Sequence, residues 1–130
     1  MAGEPILVVD DNPANLKLMR VLLHGEGYDV RTSANANEAL TALESFRPRV
    51  ILMDLQMPGM DGFELARRLK ADPATQDITI VAITAYAMKG DDEKARRAGC
   101  DGYLTKPIDT QAFPALLARY LIGTRRGAVR

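Results

Sequence analysis

Val50-Ile51-Leu52-Met53-Asp54 is a run of four apolar residues closed by an acid and entered shortly after Pro48. It is too short for a helix and does not alternate, which is the pattern of a strand covered on both faces in a parallel sheet. Two more stretches repeat it. Ile6-Leu7-Val8-Val9 ends in Asp10-Asp11, and Ile78 to Ile83 ends in Thr84. Between the runs the apolar period lengthens to that of a helix. Leu16, Met19, Leu22 and Leu23 form one stripe, with Asn12 as N-cap, Pro13 at the first helical position, and Gly25 and Gly27 at its end. Ala39, Leu40, Leu43 and Phe46 form a second, stopped before Pro48, and Phe63, Ala66 and Leu69 a third, stopped at Asp72-Pro73. A mostly polar helix is expected over 88–98, and a last one carries Leu116, Leu117, Tyr120 and Leu121.

Tyr28 to Thr32 alternates, and Tyr103-Leu104-Thr105 is short, so these two strands belong at the edges. Strands therefore begin near residues 6, 28, 50, 78 and 102, each followed by a helix. Right-handed crossovers then give an α/β fold: a five-stranded parallel sheet of order 2-1-3-4-5, a flavodoxin-like (βα)5 three-layer sandwich. A (βα)8 barrel is excluded, since it needs about 250 residues. One domain over 1–122 is expected, followed by a flexible basic tail over 123–130.

Composition narrows the function. The chain has 130 residues, of which 47% are hydrophobic and 26% charged, as in ordinary globular domains. Its 17 basic and 17 acidic side chains cancel, which argues against direct binding of nucleic acid. No apolar run approaches the ~20 residues that span a bilayer, so no membrane contact is expected. Cys100 is the single cysteine and the N-terminus has no basic leader, which together point to the cytoplasm. Dinucleotide and P-loop glycine motifs are absent, and His24 with Cys100 is no zinc ligand set.

In an open parallel sheet, sites form beyond the carboxyl ends of the strands. Here that edge carries Asp10, Asp11, Asp54 and Thr84, with Lys106 after the last strand. Three carboxylates in one crevice repel unless a cation or proton intervenes, and an oxygen-only set suits Mg²⁺. Asp54 is then a candidate nucleophile that forms an aspartyl-phosphate. Lys106 and the metal would neutralise the transferring phosphoryl group, and Thr84 would hydrogen-bond it.

Taken in order, Val8-Val9-Asp10-Asp11-Asn12, Met53-Asp54-Leu55-Gln56-Met57-Pro58-Gly59-Met60-Asp61-Gly62, Thr84-Ala85 and Tyr103-Leu104-Thr105-Lys106-Pro107 resemble the receiver domain of two-component response regulators. The resemblance runs from about residue 5 to 122. It implies that Asp54 takes a phosphoryl group from a histidine kinase or a histidine phosphotransfer protein. It implies Mg²⁺ held by Asp11, Asp54 and the backbone carbonyl of Gln56, with Asp10 acting through water. Thr84, Ala85 and Lys106 match the phosphate-contacting positions, and Thr84 with Tyr103 the switch pair. It further implies a cis Lys106-Pro107 peptide. Gln56 and Tyr86 match positions that tune self-dephosphorylation, and a slow loss of phosphate is expected. Thr84 to Asp91 is similar both to small stand-alone regulators of the cell-division type and to receivers of hybrid kinases. Output is expected from the face made by helix 4, strand 5 and helix 5, toward a protein partner, from a monomer or weak dimer. Met1 and the short tail favour a stand-alone protein over a piece of a longer chain.

Each residue alone has a plainer role: a strand-end carboxylate as a solvated cap, Tyr103 as edge packing, Cys100 as a small buried hydrophobe, His24 in an interaction with the helix C-terminus. A haloacid-dehalogenase-like phosphatase is the rival enzyme class, but it needs a second Asp two residues after the nucleophile, and Gln56 stands there. A phosphate-independent interaction domain is the third reading and would show a damaged acidic pocket. A late or distorted start is expected for the last helix, because Pro114 lacks a backbone donor.

Overall fold

The computed structural model describes residues 3–129 except 58, 86–88 and 107, and gives the backbone alone for residues 123–129. The elements alternate along the chain: β1 (Pro5–Val9), α1 (Pro13–Gly25), β2 (Asp29–Ser33), α2 (Ala36–Ala42), β3 (Val50–Asp54), α3 (Gly62–Ala71), β4 (Thr79–Thr84), α4 (Asp91–Arg97), β5 (Gly102–Thr105) and α5 (Phe113–Val129). All four strand pairings are parallel, and the order is β2-β1-β3-β4-β5, as the apolar runs indicate.

The period-2 alternation of the central strands splits the core into two layers. Leu7, Val9, Ile51, Met53, Ile80 and Ala82 face α2, α3 and α4, where they meet Ala39, Leu65, Ala66, Leu69 and Ala95. Ile6, Val8, Val50, Leu52, Val81 and Ile83 face the other way, against Met19 and Leu23 of α1 and Phe113, Leu117 and Leu121 of α5. Both faces of β1, β3 and β4 are thus dry, and each buried Leu or Ile contributes about 1.5–3 kcal/mol.

Local chemistry fixes the helix starts. Asn12 caps α1 by accepting from Ala14 N at 2.9 Å, with Pro13 inside the first turn. Asn35 caps α2 by accepting from Glu38 N at 2.8 Å, while Glu38 Oε1 accepts from Ala34 N, one residue before the cap, at 2.9 Å. Asp61 caps α3 by accepting from Glu64 N at 2.9 Å. After α1, Gly27 sits at φ 89°, where an L side chain would be strained.

Two elements differ from the sequence reading. Helix α2 stops at Ala42, short of Phe46, because the chain folds into turns at Glu44 and Ser45; Phe46 keeps its place in the core outside the helix. Helix α4 begins only at Asp91, after Gly90 adopts a left-handed φ of 90°, and ends at Arg97 rather than 98. The α5 backbone is helical through residues 123–129. The late start of α5 is as expected: Asp109 accepts from Gln111 N and Ala112 N in a preceding turn, and the helix proper begins at Phe113, next to Pro114.

Candidate functional site

The strand register delivers the polar residues to one edge. Asp54 is the last residue of β3 and lies beside Ile83 of β4. Asp10 follows β1, and its amide donates to Ser33 O at 3.1 Å, which fixes the turn into α1. Lys106 follows β5, and its amide donates to Thr84 O at 2.8 Å. Leu55 N donates to Ile83 O at 3.1 Å, so the chain leaving Asp54 is also tied to β4.

The side chains converge as the sequence indicates. One carboxylate oxygen from each of Asp10, Asp11 and Asp54 lies within 4.8 Å of the others. Asp10 and Asp54 are buried, at 6% and 7% exposure, while Asp11 is exposed. Lys106 Nζ bridges the buried pair, 3.1 Å from Asp10 Oδ2 and 3.6 Å from Asp54 Oδ2. Asp54 Oδ1 also accepts from Gln56 N at 3.0 Å. Burial pushes the Asp54 carboxyl above its ordinary pKa; the Gln56 amide and Lys106 oppose that rise, and Asp10 and Asp11 add to it. A dense hard-oxygen donor set with, among the described residues, the Lys106 ammonium beside it fits a divalent cation of the Mg²⁺ type.

The other expected residues take these places. Thr84 is fully buried at the end of β4. Ala85 and Gln56 are exposed at the rim. Tyr103 pairs in register with Ala82, so it shares a sheet face with Thr84, and it packs on the α2-α3-α4 side. Its buried hydroxyl has no hydrogen-bond partner among the described residues, and burial, then Asp91 and Asp92, raise its pKa. Tyr86 and Pro107, with the dephosphorylation and cis-peptide expectations attached to them, lie outside the described residues. Cys100 is buried and its thiol is pushed up to about 11, so it is poorly reactive.

Two residues of the site were missed in the sequence reading. A Cβ on Gly62 would lie 2.8 Å from both Asp54 O and Leu55 Cα, so only glycine lets α3 start this close to the end of β3. Its signal was a glycine at the first helical position after the Asp61 cap. Asn15, half-buried in the first turn of α1, donates from Nδ2 to Asp10 Oδ2 at 3.3 Å. A mostly apolar cavity of about 400 Å³ opens beside these groups, walled by Leu18, Met19, Leu52, Ile83 and Ile108.

Comparison with known proteins agrees with this geometry. The family model for the response regulator receiver domain matches residues 6–118. A polar-differentiation response regulator, DivK of Brucella anthropi, is 40% identical over 116 residues, covering 89% of this chain and 94% of the relative. A CheY-like receiver domain protein from Methanospirillum hungatei JF-1 superposes with a TM-score of 0.89 at 27% identity, over 97% of this chain and 99% of that one. The receiver domain of sensor histidine kinase PA1611 from Pseudomonas aeruginosa PAO1, solved with a magnesium ion coordinated in its active-site cleft, gives 0.83 at 35% identity, over 92% and 98%. Sequence and shape agree over nearly the whole length, and on both grounds the chain belongs to the response regulator receiver family, the phosphorylation-linked signalling domains of two-component systems.

Proposed function

We propose that Asp54 is the phosphoacceptor and that the chain, over residues 1–122, is a switch driven by its phosphorylation. The observation that carries this is the Asp54 carboxylate, buried at the carboxyl end of a central strand within 3.6 Å of the Lys106 ammonium and among two further acids. An Asp54 oxygen attacks the phosphorus of a phosphohistidine on a kinase or phosphotransfer protein. The new bond is the O–P bond of an aspartyl-phosphate; the P–N bond breaks and its electron pair stays on the imidazole. Lys106 neutralises developing charge on the phosphoryl oxygens, and the Thr84 hydroxyl and Ala85 backbone contact them.

Asp11, Asp54 and the Gln56 carbonyl would hold Mg²⁺, with Asp10 acting through water; the ion supplies charge neutralisation that lets an anionic donor approach three carboxylates. The PA1611 receiver, similar in fold and sequence, holds magnesium in its cleft. Movement of Thr84 toward the phosphoryl group frees space on the sheet face it shares with Tyr103, and this biases the α4-β5-α5 face, where a protein partner docks. Gln56 borders the water path to the phosphorus and, with Tyr86, sets the lifetime.

Incubation with Mg²⁺ and a small acyl phosphate, followed by intact-mass measurement, tests the reading. The wild type gains one phosphoryl group, and Asp54→Asn gains none. An equal gain in Asp54→Asn would remove Asp54 from the role.

A further inference from the structure

Helices α1, α2 and α3 are each capped by an Asn or Asp side chain, but their first turns differ. The third helical residue is Glu38 in α2 and Glu64 in α3, an acid of the kind favoured at a positive helix end. In α1 the same position is Asn15. In an ordinary capping box the third residue would reach back to the cap amide. Here that amide, Asn12 N, is taken at 2.9 Å by Asp10 Oδ1, and Asn15 Nδ2 instead donates to Asp10 Oδ2 at 3.3 Å. An acid at this position would put a fourth carboxylate on the acidic cluster. A neutral donor adds the opposite polarity.

Asp10 Oδ2 thus has two side-chain donors, Asn15 and the Lys106 ammonium at 3.1 Å. Lys106 also stands 3.6 Å from Asp54 Oδ2. A phosphoryl group on Asp54 brings roughly two negative charges to that side of the ammonium and draws it off Asp10. With Lys106 gone, the Asn12 amide still holds Oδ1, and among the described residues Asn15 is the side-chain donor left on Oδ2, the oxygen that would otherwise turn away from the remaining carboxylates.

On the reading of Asp54 as a Mg²⁺-assisted phosphoacceptor, we infer that Asn15 is a positioning residue: its amide keeps Asp10 aimed at the metal site and releases Lys106 to the phosphoryl group. Partners that orient ligand carboxylates set metal affinity, and losing one costs about tenfold or more.

The test uses the full chain, with Mg²⁺ affinity measured by calorimetry and acyl-phosphate labelling followed against Mg²⁺ concentration. Asn15→Leu keeps the branching at Cγ and improves helix propensity at a half-buried position, so its melting temperature should not fall. Its Mg²⁺ dissociation constant should rise about tenfold, and the Mg²⁺ concentration for half-maximal labelling should rise with it, by more than the maximal rate falls. Asn15→Gln retains a donor and should recover most of the affinity. Unchanged Mg²⁺ affinity in Asn15→Leu overturns the inference, as does an equal loss in Asn15→Gln or a loss that tracks a lowered melting temperature. Wild type that neither binds Mg²⁺ nor labels would instead overturn the phosphoacceptor reading itself, and the positioning role with it.

Discussion

Helices α3 and α4 lie on the same side of the sheet and follow neighbouring strands, yet they are held by different means. Helix α3 has ten residues, a side-chain cap from Asp61, and Phe63, Leu65, Ala66 and Leu69 buried against the sheet. Helix α4 has seven residues, begins at the left-handed Gly90 with no side-chain cap, and buries Ala95 alone. What α4 has in place of burial is electrostatic and exposed: Asp91, Asp92 and Glu93 in its first turn, Glu93 paired with Arg96 and Arg97, and the Lys94 ammonium 4.4 Å from the Phe63 ring. Exposed pairs add little stability. One flank of the acidic site is therefore a packed wall and the other a loosely seated helix. On the proposed function, the second kind is the one that a change of a few kcal/mol at Asp54 would re-seat, while α3 would stay packed.

The largest effect that sharpens this contrast is in the wall. Leu65 is fully buried, and Leu65→Ala should cost about 2–5 kcal/mol in chemical denaturation. Ala95→Gly, the corresponding injury to α4, should cost about 1 kcal/mol. If the two losses were equal, α4 would be as firmly seated as α3 and the contrast would fail.

Next comes the tie between the two regions. Lys70 at the end of α3 donates to Gln76 O at 3.2 Å, to Ile78 O at 2.7 Å and to Asp101 Oδ2 at 3.1 Å, and Asp101 also accepts from Ile80 N. This joins the wall to the loop that follows α4. Lys70→Met should lower stability by about 1 kcal/mol and speed amide exchange in α4 while leaving α3 protected. Equal acceleration in both helices would show that the Lys70 contacts stabilise the domain as a whole.

The smallest expected effect is at Asp54. Its pKa is raised in the fold, so the folded state favours the neutral carboxyl, and stability falls as pH rises through the folded value. Metal-free Asp54→Asn removes that loss and still offers an acceptor to Gln56 N. It should match the wild type at acid pH and melt at or above it near neutrality, in parallel thermal scans. A lower melting temperature for the variant at neutral pH would show that Asp54 stabilises the apo domain.

Much of this was legible in the sequence because it depends on local pattern. The runs ending in Asp10, Asp54 and Thr84 carry both the parallel sheet and the location of the site, since strand ends and site are the same residues. Pro114 announces the late start of α5, because the missing donor acts where it stands. What was not legible depends on where neighbouring segments arrive. The end of α2 at Ala42 follows from Phe46 reaching the core from a turn, although its spacing from Leu43 is also that of a helix. Gly90 lies inside the helix expected over 88–98 but in the fold sets where α4 begins. The Asn15 contact with Asp10 and the close approach at Gly62 exist only once α1 and α3 are placed on their strands.

The most direct measurement is hydrogen exchange across the whole chain, with and without phosphorylation by an acyl phosphate in Mg²⁺. If a phosphoryl group on Asp54 re-seats the loosely held flank, exchange should change over residues 85–105 and stay the same over residues 62–71 of α3. Unchanged exchange over 85–105 in fully phosphorylated protein, or a change confined to α3, would contradict that division of the molecule.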